Sequence, residues 1–295
     1  MVYFPWDGSG LVWNEYCRDN YKVIPTGSKT GRAIIFFSGN GLYFPNTKEE
    51  FTEKVIRQNR YEWENISSDR LIRQHYELVI LVRDVYKQWY VNGINPSYNS
   101  VDKVAGLLRE ITSGFEVTTC GSSAGGYAAV LFAGLMGAER FFSISGQFSI
   151  VDQVAEEKAP FVYYNASHSD KNKYYDISVI THRGGGGYYL WPSECEIDKA
   201  QHELVKDNPT LTILPFKTKQ HGSTIPSYCF PYLLSRTKEE LSSILSRVKH
   251  DTPINPHFFA FRIMPGFTFV RYAGEWLIRR AARYIVKPFM KILRL

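Results

Sequence analysis

The chain has 295 residues, of which 44% are apolar and 15% aromatic, enough to bury a large core. Its 35 Lys and Arg side chains exceed its 29 Asp and Glu side chains by six. Residues 271–295 hold seven basic side chains and one acidic one, so the excess is confined to this tail. That distribution argues against a nucleic-acid-binding body, and the lack of a long apolar run argues against a simple transmembrane span.

The first eight residues lack the basic and apolar regions of a secretory signal, so we predict a cytoplasmic protein. The four cysteines form no C-x-x-C pair, and no zinc-type ligand cluster is visible. We therefore expect free thiols in a reducing compartment and no bound metal.

The predicted elements begin with one or two short strands, at residues 11–13 and 21–24. A continuous apolar stretch at 32–37 is typical of a strand in the middle of a parallel sheet. It runs into a Gly-rich loop whose backbone N–H groups can bind a developing oxyanion. The donor candidates, in order of preference, are Asn40, then Gly39 or Gly41. The alternative is an ordinary turn that ends the strand.

Residues 47–58 predict a helix, 77–82 a second buried strand and 99–112 an amphipathic crossover helix. An aromatic and charged loop follows the strand at 77–82. It lies at the carboxyl edge of the sheet, where open α/β sheets bind ligands. The pocket candidates from this loop are Arg83, Trp89 and Tyr90. The alternative is that these side chains only pack at the surface.

A G-x-S-x-G pattern, residues 121–125, lies between a predicted strand and a predicted helix of small residues. The pattern is typical of a nucleophilic serine at a sharp strand-to-helix turn, because tiny residues at both ends let strand and helix approach. The helix N-terminus directs free N–H groups, that of Ala124 first, at the oxyanion position. We predict Ser123 as the nucleophile. Ser122 competes, but Cys120 rather than a glycine stands two residues before it; the alternative is a tight turn without chemistry.

Further strands are predicted at 140–145, 176–181 and 188–191. The acid of a catalytic triad belongs just past the last of these. Asp198 is preferred, with Glu194 second and Glu196 third. The competing role for Asp198 is to cap the helix predicted at 199–206, because Asp is favoured immediately before a helix.

A last strand at 211–216 leads into a polar loop that carries His221 and Gly222. An imidazole in this loop can reach back over the serine, and His168 is the other contender. The chain order of Ser123, Asp198 and His221 is the order found in α/β-hydrolases.

The elbow at 121–125, the acid Asp198 and the His221-Gly222 loop together resemble the α/β-hydrolase superfamily, over about residues 30–250. The resemblance implies an α/β fold, α/β-hydrolase-like, with a mostly parallel central sheet and helices on both faces. We divide the chain into a catalytic domain, 1–255, and a basic amphipathic C-terminal extension, 256–295. The extension departs from the pattern, because a bare hydrolase core does not need it.

Within that superfamily, the small elbow, the lack of a large inserted lid and the segment 193–198 resemble bacterial surface-glycan O-acetyltransferases, including those of capsule polysaccharide. This resemblance implies acetyl-CoA as the acyl donor, a sugar hydroxyl as the acceptor and no tightly bound cofactor. Two alternatives stay open. One is a carboxylesterase or deacetylase that uses the same triad with water, and the other is a non-catalytic scaffold that binds a partner through the tail.

From Glu275 onward, a helical projection separates basic from apolar side chains. The basic side is Arg280, Arg283, Lys287, Lys291 and Arg294. The apolar side is Leu277, Ile278, Ala281, Ile285, Phe289 and Ile292. Such a helix suits an anionic membrane surface, so we expect peripheral association through 270–295 at the inner face of the cell membrane. The alternative is a terminal helix docked on the core or at an oligomer seam.

Overall fold

The computed structural model describes residues 10–151, 173–179, 186–248 and 252–278. Its centre is a seven-stranded sheet in the order β1-β3-β2-β4-β5-β6-β7. The strands are β1 (Tyr21–Pro25), β2 (Arg32–Phe37), β3 (Leu78–Val82), β4 (Glu116–Ser122), β5 (Arg140–Ile144), β6 (Gly186–Pro192) and β7 (Leu211–Phe216). β1 runs antiparallel to β3, and the remaining pairs are parallel.

The helices up to the middle of the chain are α1 (Gly10–Tyr16), α2 (Lys48–Glu50), α3 (Glu64–Ser67), α4 (Arg70–His75), α5 (Val101–Ile111) and α6 (Ala124–Met136). The later helices are α7 (Glu196–Glu203), α8 (Phe230–Leu234), α9 (Lys238–Leu245), α10 (Pro256–Ile263) and α11 (266–278). A π-helical stretch, Phe51–Arg57, continues α2, and short 3-10 turns occupy Asn40–Tyr43 and Ser227–Cys229.

The sheet separates two apolar cores, because successive side chains of a strand point to opposite faces. In β2, Ile35 and Phe37 join the core that packs against α5 and α6, whereas Ile34 and Phe36 join the core on the other face. Helices α8 to α11 cover this second core through Leu233, Leu241, Phe259 and Tyr272. The prediction of a mostly parallel sheet with helices on both faces is confirmed.

Two strand predictions were wrong. Residues 11–13 lie in helix α1, where Val12 and Tyr16 are one helical turn apart and both buried. A short apolar run does not distinguish a strand from a helix by itself. Of the segment 176–181, the described part contributes one antiparallel bridge, from Asp176 to Ser149, and β6 is the strand that pairs with β5.

Within the described ranges, no helix combines the length and the apolar character needed to cross a membrane. The four cysteines are free thiols, and Cys17 alone among them is exposed. The division of the chain into two domains at residue 255 stays a prediction.

Candidate active site

Ser123 lies between β4 and α6 in a strained backbone conformation, with φ of +56° and ψ of −123°. A residue with a side chain holds such a conformation at a cost of about 1–3 kcal/mol, so the surrounding structure must impose it. A Cβ at Gly121 would stand 2.0 Å from the Gly125 carbonyl oxygen, and a Cβ at Gly125 would stand 2.2 Å from the Phe37 carbonyl oxygen. Both glycines are therefore needed for β2, β4 and α6 to meet at the serine.

Gly125→Ala is expected to destabilise the fold by at least about 1–3 kcal/mol, because the new methyl group overlaps the β2 backbone and α6 must move. Urea unfolding followed by circular dichroism measures the change. Gly106→Ala in α5 is the matched control, since a Cβ there meets nothing within 4 Å and alanine favours a helix. Equal stability of the two variants would contradict the steric account.

A continuous hydrogen-bonded chain connects three residues from different segments. His221 Nε2 lies 2.8 Å from Ser123 Oγ, and His221 Nδ1 lies 2.8 Å from Asp198 Oδ2. Because the carboxylate is an acceptor, the neutral imidazole carries its proton on Nδ1, which leaves Nε2 to accept the serine proton. Asp198 is almost fully buried, whereas about a third (32%) of the His221 side chain is exposed. The arrangement can move a proton away from Ser123 Oγ.

The parallel sheet explains why these residues meet. Ser123 follows β4, Asp198 lies in the first turn of α7 after β6, and His221 lies in the loop after β7. The carboxyl ends of parallel strands share one edge of a sheet, which is where open α/β sheets place their sites. The structure thus brings together the three residues that the sequence selected, and their catalytic roles stay a prediction.

The other candidate acids do not join this hydrogen-bonded chain in the described structure. Helix α7 begins at Glu196 with Cys195 as its N-cap, so Asp198 does not cap it. Glu194 and Glu196 are exposed, and Glu196 pairs with Lys199. His168 lies outside the described residues.

Ser122 has a different hydrogen bond from its neighbour. Its Oγ donates to the Gly222 carbonyl oxygen over 3.2 Å, and Gly222 has a positive φ of +77°. Glycine adopts that backbone conformation readily. Ser122 therefore holds the turn that carries His221, while Ser123 faces the imidazole.

Two of the backbone N–H groups that the sequence predicts as oxyanion donors lie at the start of a helical turn, and their role stays a prediction. Ala124 is the first residue of α6, and Asn40 begins the 3-10 turn after β2. Within the described chain, neither N–H donates a hydrogen bond to a protein acceptor. Gly39 differs, because its N–H donates to Glu62 Oε2 over 2.6 Å. A Cβ at Gly41 would lie 2.8 Å from the same carboxylate, so a side chain at this position would displace Glu62.

Polar side chains support the loop formed by residues 38–41, and two of them, Glu62 and Lys87, were not singled out by the sequence. Lys87 Nζ donates to the Asn40 carbonyl oxygen over 2.6 Å, and the Tyr90 hydroxyl donates to the Ser38 carbonyl oxygen over 2.7 Å. Burial raises the pKa of Glu62 and lowers the pKa of Lys87 to about 7. Neither residue follows a recognisable motif, and their contacts with the loop become visible only in three dimensions.

Glu62→Ala is expected to lower kcat by about 10- to 100-fold with a smaller change in KM, because the loop that carries the Asn40 N–H loses its anchor. Steady-state kinetics on an aryl ester measure the effect. Glu62→Gln keeps a carbonyl acceptor for the Gly39 N–H and should recover most of the lost rate. A wild-type kcat in the alanine variant would refute this role.

The three pocket candidates are interior residues in the described structure. Arg83 is 1% exposed and donates to Asn20 Oδ1 over 2.9 Å. Trp89 Nε1 donates to Gln147 Oε1 over 3.1 Å, and Tyr90 is fully buried beneath the loop formed by residues 38–41. These side chains support the fold around the site; they neither line an open pocket nor pack at the surface.

Cys195, Asp198 and His221 place three potential metal-ligand atoms within 4.8 Å of one another. Partial burial and a hydrogen bond to Asp198 raise the pKa of the Cys195 thiol. His221 and Cys195 thus both face the Asp198 carboxylate, and the cluster is accounted for by hydrogen bonds that orient this acid.

A cavity of about 850 Å³ lies beside Glu62, the residue that accepts from the Gly39 N–H. Glu62 lines it from the loop side, Trp63 and Tyr228 contribute aromatic walls, and Tyr272 and Trp276 of α11 close it from the C-terminal side. The described helix α11 therefore lies against the same body as the site.

No protein-family model matches the chain, and a search of curated proteins also finds no match. Among solved structures, the chain is similar to FphF, a fluorophosphonate-binding serine hydrolase of Staphylococcus aureus, with 12% identity, 67% of this chain and 86% of that chain covered, and a TM-score of 0.44. It is also similar to the capsule O-acetyltransferase of Neisseria meningitidis serogroup A, with 13% identity and a TM-score of 0.44. The match covers 66% of this chain and 82% of that chain. A third similar structure is a protein of unknown function from Staphylococcus aureus subsp. aureus Mu50, with 13% identity and a TM-score of 0.46. The match covers 83% of this chain and 94% of that chain.

The topology of this chain's own sheet identifies its fold. The sheet has an antiparallel first strand, β3 and β2 exchanged in order, and a serine elbow between the central strand β4 and α6. This is an α/β-hydrolase-type fold, as the sequence resemblance predicted.

Proposed function

We propose that this protein is a serine-dependent acyl-transfer enzyme. The observation that supports the proposal is the hydrogen-bonded chain from Ser123 through His221 to Asp198. His221 Nε2 takes the proton of Ser123 as its Oγ attacks an acyl carbonyl. Asp198 holds the imidazole tautomer and stabilises the imidazolium that forms. The N–H groups of Ala124 and Asn40 stabilise the tetrahedral oxyanion, at about 3–4 kcal/mol for each donor.

The intermediate collapses when the bond to the leaving group breaks and His221 gives its proton to that group. An incoming hydroxyl then loses its proton to His221 and attacks the acyl-serine, and the second tetrahedral intermediate releases Ser123 Oγ, which takes the proton back. The acceptor hydroxyl decides the reaction: a sugar makes the protein a transferase, and water makes it an esterase.

We propose acetyl-CoA as the donor and a hydroxyl of a bacterial surface polysaccharide as the acceptor. The sequence resemblance to surface-glycan O-acetyltransferases, at 121–125 and 193–198, supports this choice. The second candidate is a carboxylesterase or deacetylase with the same three residues. The one-third exposure of the His221 side chain supports it, because water can reach the imidazole.

Acetyl-CoA consumption, measured with and without added capsule-type oligosaccharides, distinguishes the two candidates. A transferase releases CoA faster when an acceptor is present, and the oligosaccharide gains an acetyl ester. An esterase hydrolyses an aryl acetate at a rate that the oligosaccharide does not change. If neither substrate gives a product that depends on Ser123, the proposal of acyl transfer is wrong and a non-catalytic scaffold is the better account.

A further inference from the structure

Helix α11 has two apolar faces. Its inner face, Phe269, Tyr272, Ala273 and Trp276, packs against the second core with the three- and four-residue spacing of one helix side. The Tyr272 hydroxyl donates to Asp69 Oδ1 over 2.9 Å, and the Trp276 ring lies 5.8 Å from the Tyr228 ring. These contacts fix which side of the helix faces solvent.

The solvent side of α11 is also apolar. Phe267 is 83% exposed, Val270 68%, Leu277 58% and Ile278 70%. Helix α10 adds two large apolar side chains, Phe258 and Phe261, which are more than half exposed. The Phe261 and Phe269 rings lie 5.5 Å apart, so the two helices are neighbours. We name this surface the outer face; its members are Phe258, Phe261, Phe267, Val270, Leu277 and Ile278.

The outer face is a concentration rather than a scatter of apolar side chains. Of the thirteen large apolar side chains that are exposed in the described residues, six belong to it. Isolated exposed apolar residues are normal on a protein surface, but a concentration of them on two neighbouring helices is typical of an interaction site. A helix that is apolar on both sides is typical of one that is covered on both sides.

The charge around the outer face indicates what covers it. Arg262 and Arg271 are exposed on the same two helices, and Arg271 pairs with Glu275. The following sequence, 279–295, contains six Lys and Arg residues and no acid. Its apolar residues Ala281, Ile285, Phe289 and Ile292 continue the spacing of Leu277 and Ile278.

We propose that the outer face rests on an anionic lipid surface, with the basic side chains of the C-terminal segment attracted to the headgroups. Apolar side chains that enter the interface beside Arg and Lys are the recognised chemistry of such binding. A second copy of the chain fits less well, because pairing two outer faces brings two sets of positive charge together. This inference does not depend on the chemistry at Ser123.

Flotation of the full-length protein with vesicles tests the proposal. Binding is expected to vesicles of phosphatidylcholine mixed with phosphatidylglycerol, to be absent with phosphatidylcholine alone, and to weaken as salt is raised. The double variant Phe267→Ser/Val270→Ser should bind about tenfold less or weaker still, because two apolar side chains no longer enter the interface. Val179→Ser/Leu204→Ser is the matched control, since both residues are exposed apolar side chains away from the outer face.

Circular dichroism of each variant verifies that it is folded before binding is compared. Equal binding to neutral and anionic vesicles, or unchanged binding by the outer-face variant, would overturn the proposal. Sedimentation of the protein without lipid tests the other occupant. A concentration-dependent dimer that the outer-face variant abolishes, together with no flotation, would assign the surface to a second copy of the chain.

Discussion

Ser123→Ala is expected to lower kcat for acyl transfer by at least about 10⁴-fold, because the attacking oxygen is removed while the rest of the site remains. The small residual rate comes from the oxyanion donors and from substrate binding. Burst and steady-state kinetics on an aryl acetate measure the loss. The variant should stay folded, because alanine fits the space of serine and, within the described chain, Ser123 Oγ forms a hydrogen bond only with His221.

Ser122→Ala is the matched control for this result. It removes one hydroxyl from the neighbouring position and costs the single hydrogen bond to the Gly222 carbonyl oxygen. The lost hydrogen bond is expected to cost about 1 kcal/mol, and kcat should therefore fall by less than about tenfold. Loss of activity in Ser122→Ala with activity kept in Ser123→Ala would reverse the assignment of the nucleophile.

Asp198→Asn is expected to lower kcat by about 10⁴-fold with little change in the fold. The amide has nearly the shape of the carboxylate, but its NH₂ group favours the imidazole tautomer with the proton on Nε2. That tautomer cannot accept the Ser123 proton. The kcat at neutral pH measures the effect, and thermal unfolding checks that the buried site tolerates the amide.

Glu196→Gln provides the control for the change of charge. Glu196 lies in the same turn of α7, is exposed and pairs with Lys199, so its neutralisation should leave kcat unchanged. If Asp198→Asn kept kcat within about tenfold of the wild type, the acid would have no role in orienting His221.

The local sequence was sufficient to predict the elbow. A side chain at Gly121 or Gly125 would lie about 2 Å from a backbone oxygen, so both positions require glycine. This requirement is visible in the sequence as the G-x-S-x-G pattern. The meeting of Ser123, Asp198 and His221 in space was predictable because parallel strands bring their carboxyl ends to one edge of the sheet. Separations of 75 and 23 residues along the chain do not matter once the strands are aligned.

The residues that support the 38–41 loop were not predictable in the same way. Glu62 accepts from the Gly39 N–H 23 residues away and also donates its own N–H to Ser38 Oγ, whereas Lys87 donates to the Asn40 carbonyl oxygen 47 residues away. No spacing rule connects such residues. The aromatic loop at 83–90 was correctly placed at the carboxyl edge, but burial turned its side chains inward, where Tyr90 supports the loop.

The C-terminal segment shows what a helical projection of the sequence can and cannot predict. The projection from Glu275 separated basic from apolar residues, but it began after the first turns of α11. The structure shows that Phe269 and Tyr272 already pack on the core, so the exposed apolar residues form a second face of the same helix. Sequence periodicity alone does not distinguish one broad apolar face from two.

The most direct test of the account is mass spectrometry of the protein quenched in acid during turnover of an aryl acetate. We predict one acetyl group, located on the peptide that contains Ser123, absent from Ser123→Ala and formed far more slowly in Asp198→Asn. An acetyl group on another residue, or equal labelling of the wild type and Ser123→Ala, would contradict the assignment of Ser123 as the nucleophile.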